Sequence, residues 1–115
     1  MVDVARRVKL LAATLLAAAS VSAAPATQTF TGVVSDEICA KNGHAKMQMG
    51  PTDAACTKAC VLLHGASYVL QDGKTIYPLS DQKKPEAFAG QKVKVVGTLD
   101  PKTKAIHVDS IAAVK

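Results

Sequence analysis

The sequence predicts a mainly β domain: an OB-like five-stranded barrel with one or two short helices, one of them inserted between the first two strands. Three observations lead there. Five segments rich in β-branched and aromatic residues are separated by Gly, Pro and Asp turn signals. Between the first two of them lies a long irregular stretch ending in a capped helical run. A short Pro-containing turn falls between the third and fourth, completing the order of a partly open Greek-key barrel.

The elements follow in chain order. Thr29 to Ser35 reads T-F-T-G-V-V-S and is the first strand. Asp36 to Asp53 contains Gly43, Gly50 and Pro51 and is expected to be the longest loop. Thr52 or Asp53 offers a side-chain oxygen to cap a helix. That helix runs through A-A-C-T-K-A-C-V-L-L-H and stops at Gly65, a residue suited to a left-handed end. Ser67 to Gln71 and Lys74 to Leu79 flank Asp72-Gly73, a pair that favours a type I′ hairpin turn. Asp81 to Gly90 places Pro85 in a short first helical turn. Gln91 to Leu99 and Ala105 to Val114 form a second hairpin around Asp100-Pro101 and Lys102 to Lys104.

The chain has 115 residues, enough for one small domain. Its N-terminus is set apart from that domain. Arg6, Arg7 and Lys9 precede the uncharged run Leu10 to Ala19 and the small residues Ser20 to Ala24, the three-part layout of a secretory signal. Cleavage is expected after Ala23, giving residues 1–23 as a removed signal peptide and 24–115 as a single OB-like domain, secreted or periplasmic. The apolar run is about half of the ~20 residues that a membrane span needs, so no span is expected in the mature chain.

Setting Arg6, Arg7, Lys9 and Asp3 aside leaves 11 Lys against 8 acidic residues and no Arg. The lysines are scattered, and Phe30, Tyr68, Tyr77 and Phe88 are the only aromatic rings. Nucleic-acid readers cluster Arg and Lys and interleave aromatics for stacking, so nucleic acid is not expected as a partner. A domain of about 90 residues buries only some two thirds of its unfolded surface, and a covalent or metal cross-link would help it.

The runs G-V-V-S-D-E-I-C-A (Gly32 to Ala40), C-T-K-A-C-V (Cys56 to Val61) and A-G-Q-K-V-K-V-V-G-T-L (Ala89 to Leu99), with His44 between the first two, resemble a group of small secreted bacterial proteins of unknown function. The shared pattern is G-x-V-S-D-x-x-C followed by C-x-x-x-C. The resemblance implies an exported compartment and an OB-like barrel; it implies no mechanism.

The candidate site is Cys39, His44, Cys56 and Cys60. Three cysteines in an exported chain allow at most one intramolecular disulfide. On one helix Cys56 and Cys60 would have Cβ atoms about 5 to 6 Å apart, too far for a bond that wants roughly 3.5 to 4.5 Å. Either could instead pair with Cys39. Rotation at 100° per residue places Leu62, Ala55, Ala59, Leu63, Cys56 and Cys60 on one arc, so both thiols are expected to point toward the barrel.

Two readings stay open. Cys39, Cys56 and Cys60 with His44 make a Cys₃His set that Zn²⁺ accepts tetrahedrally. Met47 and Met49 add soft thioethers that suit Cu(I), loosely resembling small periplasmic copper chaperones, although the Trp and strand-borne ligands of those proteins have no counterpart here. The alternative is a disulfide-braced, non-catalytic module that binds a peptide, glycan or envelope partner. Enzymatic chemistry is not expected. C-x-x-x-C in mid-helix lacks the helix-start thiol of a disulfide oxidoreductase, no C-x-x-C-H is present for haem, and no nucleophile elbow frames Ser35. Asp36 and Glu37 read as turn carboxylates bonding amides near Cys39, and His107 reads as an ordinary strand residue.

Overall fold

The computed structural model describes residues 26–47 and 49–115. The signal-peptide reading of residues 1–23 lies outside the described residues. Within them, five strands form one antiparallel sheet: β1 (Gln28–Asp36), β2 (Tyr68–Asp72), β3 (Thr75–Pro78), β4 (Lys92–Leu99) and β5 (Ile106–Ala113), in the order β3-β2-β1-β4-β5. The ladders do not close it. Between the two edge strands the contact is a single parallel bridge, Leu79 to Ile106, so the sheet is open.

β1 is the long central strand because its alternation serves two partners. Its first half pairs with β4 (Phe30 opposite Val95) and its second half with β2 (Val34 opposite Leu70). Inward-facing Val34, Leu70, Val93, Val95 and Ile106 are fully buried and form the main apolar core with Tyr68, Leu79, Ala89 and Val108. Phe30 and Tyr77 close one side of this core with ring centroids 5.4 Å apart, within the range of favourable aromatic pairs.

The hairpins differ in detail from expectation. Asp72 pairs with Thr75, so the two central turn residues are Gly73 and Lys74, not Asp72 and Gly73. Gly73 alone takes a left-handed φ of 61°, the pattern of a type II′ turn with glycine first. In the second hairpin, register shifts between Val96 and Gly97. A Cβ added at Gly97 would overlap the carbonyl oxygen of His107 on the neighbouring strand. Gly97→Ala is therefore expected to displace the β4–β5 ladder and cost about 2 kcal/mol. For a domain of this size that lowers Tm by on the order of 10 °C, measurable by thermal denaturation followed by circular dichroism.

The stretch between β1 and β2 is more helical than the sequence predicts. It holds α1 (Glu37–Asn42), α2 (His44–Met47) and α3 (Asp53–His64). The breakers at Gly43, Gly50 and Pro51 divide the segment but leave room for helical turns between them. α3 begins as expected: Thr52 accepts from the Ala55 N–H at 3.1 Å, and Gly65 ends the helix in the left-handed region. Between β3 and β4 a 3₁₀ turn, Lys84–Phe88, carries Pro85 buried at its start. Asp81 anchors this turn by accepting from the Lys83 and Lys84 amides and the Lys84 ammonium, which pulls its carboxyl down to about 2.

Candidate metal centre

The site is built on the end of β1. Asp36 has no exposed surface, and its Oδ2 accepts from the amides of Ile38 at 2.9 Å and Cys39 at 3.0 Å. Those two bonds cap the first turn of α1, since an Asp at the N-cap satisfies amides that the helix leaves free. The expected role of Asp36 is thus the one found, with the addition that it starts a helix. The cap aims Cys39 inward from the first turn of α1. Glu37 accepts from the Ser67 amide at 3.2 Å and ties the same turn to the start of β2.

Opposite Cys39 stands α3. Its buried face is Cys56, Thr57 and Cys60, while Leu62 and Leu63 are 76% and 70% exposed. This corrects the expected arc. The thiols do not join the main core; they form a second small core with Cys39 and Ala66, sheathed by Ile38, Met47, Met49 and Val61. The helix docks through its sulfur-bearing face near α1, and its last turn carries the two leucines out beyond that contact. Met47 and Met49, which could have been incidental loop residues, lie partly buried against the thiols.

Cys39 is the hub. Its Sγ lies 3.3 Å from Cys56 Sγ and 3.5 Å from Cys60 Sγ. All three sulfurs lie within 4.8 Å of one another, and each cysteine is at most 1% exposed. The thiols are free, and no disulfide joins any pair. Cys39 is shared between two neighbours whose distances differ by only 0.2 Å, so the geometry singles out neither pairing. Three buried sulfurs this close are a group that could hold a metal ion.

Electrostatics around them are unfavourable to bare thiolates. Burial pushes the Cys39 thiol far up, and the neighbouring Asp36 carboxyl and the other two cysteines push in the same direction. Burial likewise raises Cys60, partly offset by its contact with Cys39. Asp36 Oδ1 and Thr57 Oγ1 are buried without a hydrogen-bond partner. Each such orphan costs about 1–3 kcal/mol, and a bound ion or water is one way to satisfy such atoms.

His44 stands outside the sulfur group. Its Nε2 is 3.5 Å from Ser35 Oγ, and its Nδ1 is 4.0 Å from Asp53 Oδ1. It lines a cavity of about 480 Å³ together with Asp53 and Cys56. Three of the four residues singled out from sequence therefore converge, and the fourth sits on the wall of a cavity that one of those three also reaches. Ser35, His44 and Asp53 follow one another in the order of a hydrolytic triad, but Ser35 has no exposed surface and does not line the cavity. A buried hydroxyl cannot reach a substrate carbonyl, so the arrangement is not an acyl-transfer site. His107 is exposed on β5, as an ordinary strand residue.

Sequence reasoning missed Asp53, nine residues from His44 with no motif to link them, and the burial of the two methionines. The S-D-x-x-C run does carry a readable signal, an Asp placed to cap the turn that presents the cysteine.

A family model described as a protein of unknown function, DUF5818, matches residues 60–114. The chain is similar to that family over β2 to β5 and Cys60, whereas Cys39, His44 and Cys56 precede the matched span. No curated protein and no solved structure matches the chain.

Proposed function

We propose that this chain is an exported OB-like module that holds one thiophilic closed-shell cation, Zn²⁺ or Cu⁺, on Cys39, Cys56 and Cys60. The convergence of three buried sulfurs on one point carries the reading. Thiolates select these ions over hard cations such as Mg²⁺ or Ca²⁺. A bound cation would also supply the positive charge that the buried Asp36 carboxyl and the thiols lack in their surroundings. The nearby thioethers of Met47 and Met49 favour Cu⁺, and the borderline character of Zn²⁺ suits a site with imidazole close by.

The OB-like assignment is supported by the Leu79–Ile106 bridge, with Ser80 N donating to Ile106 O at 3.0 Å and Ser80 Oγ accepting from Val108 N at 3.0 Å. These bonds draw the two edge strands together at one end, as a partly open barrel requires. Export is supported by the n-, h- and cleavage-region layout of residues 1–23. Among the described residues no helix is long and apolar enough to cross a membrane.

The test is a titration of the reduced full chain with Zn²⁺ and, separately, with Cu⁺, each against a chromophoric chelator. One ion per chain, with all three thiols protected from alkylation, is the expected endpoint. Failure of both ions to compete, with thiols oxidising in air to one cystine and one free thiol, would favour the disulfide-braced module instead.

A further inference from the structure

The three sulfurs are sealed from solvent, so a cation needs a way in. The cavity between α2 and the start of α3 reaches them on one side: Cys56 is on its wall, and neither Cys39 nor Cys60 is. His44 and Asp53 stand on the same wall.

Of the two His44 nitrogens, Nε2 faces Ser35 and Nδ1 lies on the side of Asp53. Ser35 Oγ lies 3.4 Å from the Asp36 carbonyl oxygen, to which it can donate, and 3.5 Å from His44 Nε2. In the tautomer that donates from Nε2 to Ser35 Oγ, Nδ1 is left with a bare lone pair for a cation. That Nδ1 is buried without a hydrogen-bond partner. Asp53 Oδ1, an acceptor, lies 4.0 Å from it. In that tautomer two acceptors face each other with no proton between them. Zinc–imidazole and zinc–carboxylate bonds are each about 2.0–2.2 Å long, so a tetrahedral ion on both would hold the two atoms about 3.4 Å apart, a small closure that the exposed Asp53 side chain can make. Asp53 is 67% exposed and can meet an ion still in water, while His44 is 22% exposed and stands further in.

We infer that this cavity is the port of the metal site, and that His44 Nδ1 and Asp53 form an outer pair of ligands that captures a divalent thiophilic ion and passes it to Cys56. Each hand-over exchanges one ligand for another on the same ion, and each thiol loses its proton to water as its sulfur binds. His44 is then a transfer ligand and not a member of the resident set. The inference rests on the three-cysteine reading.

The probe is Cd²⁺ alone, mixed with the reduced full chain in a stopped-flow instrument and followed by thiolate-to-cadmium charge-transfer absorption. His44→Ala is expected to slow loading at least tenfold, and Asp53→Asn severalfold, while the endpoint stays at one ion per chain and the affinity changes less than threefold. Because affinity is the ratio of the two rates, release to excess chelator slows by the same factor. His44→Gln and the exposed Asp53→Asn keep the test valid if His44→Ala misfolds. Unchanged rates in the variants would place the way in elsewhere. A tenfold loss of affinity with an unchanged loading rate would make His44 a resident ligand and overturn the transfer role. If wild-type protein gives no charge-transfer band at all, the three-cysteine site itself fails, an outcome distinct from either of these.

Discussion

Cys39→Ser is expected to weaken Zn²⁺ and Cu⁺ binding by at least about a thousandfold, or ~4 kcal/mol, with the stoichiometry no longer reaching one ion per chain at micromolar metal. The size of the effect follows from position. Cys39 is the sulfur in contact with both others, 3.3 Å from one and 3.5 Å from the other. Removing it leaves Cys56 and Cys60 one helical turn apart on α3, a two-thiol remnant with no third sulfur. A hydroxyl in its place is a hard ligand and stays protonated at neutral pH. Cys39→Ala separates binding from folding: it opens a small void without introducing a polar atom, so folded, metal-free protein should be recovered. Competition titration checks the affinity, and thermal denaturation of metal-free samples checks the fold. Wild-type affinity in either variant would remove Cys39 from the site.

The second large effect is pH. Burial holds the Cys39 thiol protonated well above the ordinary range near 9 and raises the Cys60 thiol in the same direction. A metal binds the thiolates, so loading at neutral pH must release at least these two protons. By linkage the conditional affinity rises at least about a hundredfold per pH unit between pH 6 and 8. The metal-free protein shows the opposite dependence. A thiol whose folded value lies above its unfolded one contributes stability that is present in full below pH 9 and is lost as pH climbs beyond it. Metal-free samples should therefore lose Tm above pH 9, whereas loaded samples should not. Proton release on loading can be counted by titration in weakly buffered solution. Release of fewer than two protons per ion would contradict a site made of these thiols.

The strands, the α3 cap and the second hairpin were legible because each rests on local chemistry: alternation, an N-cap oxygen, a left-handed glycine. The exact turn after β2 was not, because Asp72 and Gly73 are both turn residues and the register is set by the β2–β3 ladder. The sequence between β1 and β2 reads as irregular because its glycines and proline outweigh propensity over so short a span, although Asp36 capping Cys39 starts a helix there. At the site, the three sulfurs could be grouped from their types and spacing. Their separation from the main core could not, because the helical arc of α3 gives a face and not the element that meets it. Leu62 and Leu63 share that arc and end up outside, since α3 packs on β1, α1 and α2 and not on a closed barrel wall.

X-ray absorption on the full chain loaded with one equivalent of Zn²⁺ addresses the three-sulfur assignment without an assay or a variant. Three sulfur scatterers near 2.3 Å are the predicted shell. A shell of nitrogen and oxygen only, or one with a single sulfur, would contradict it.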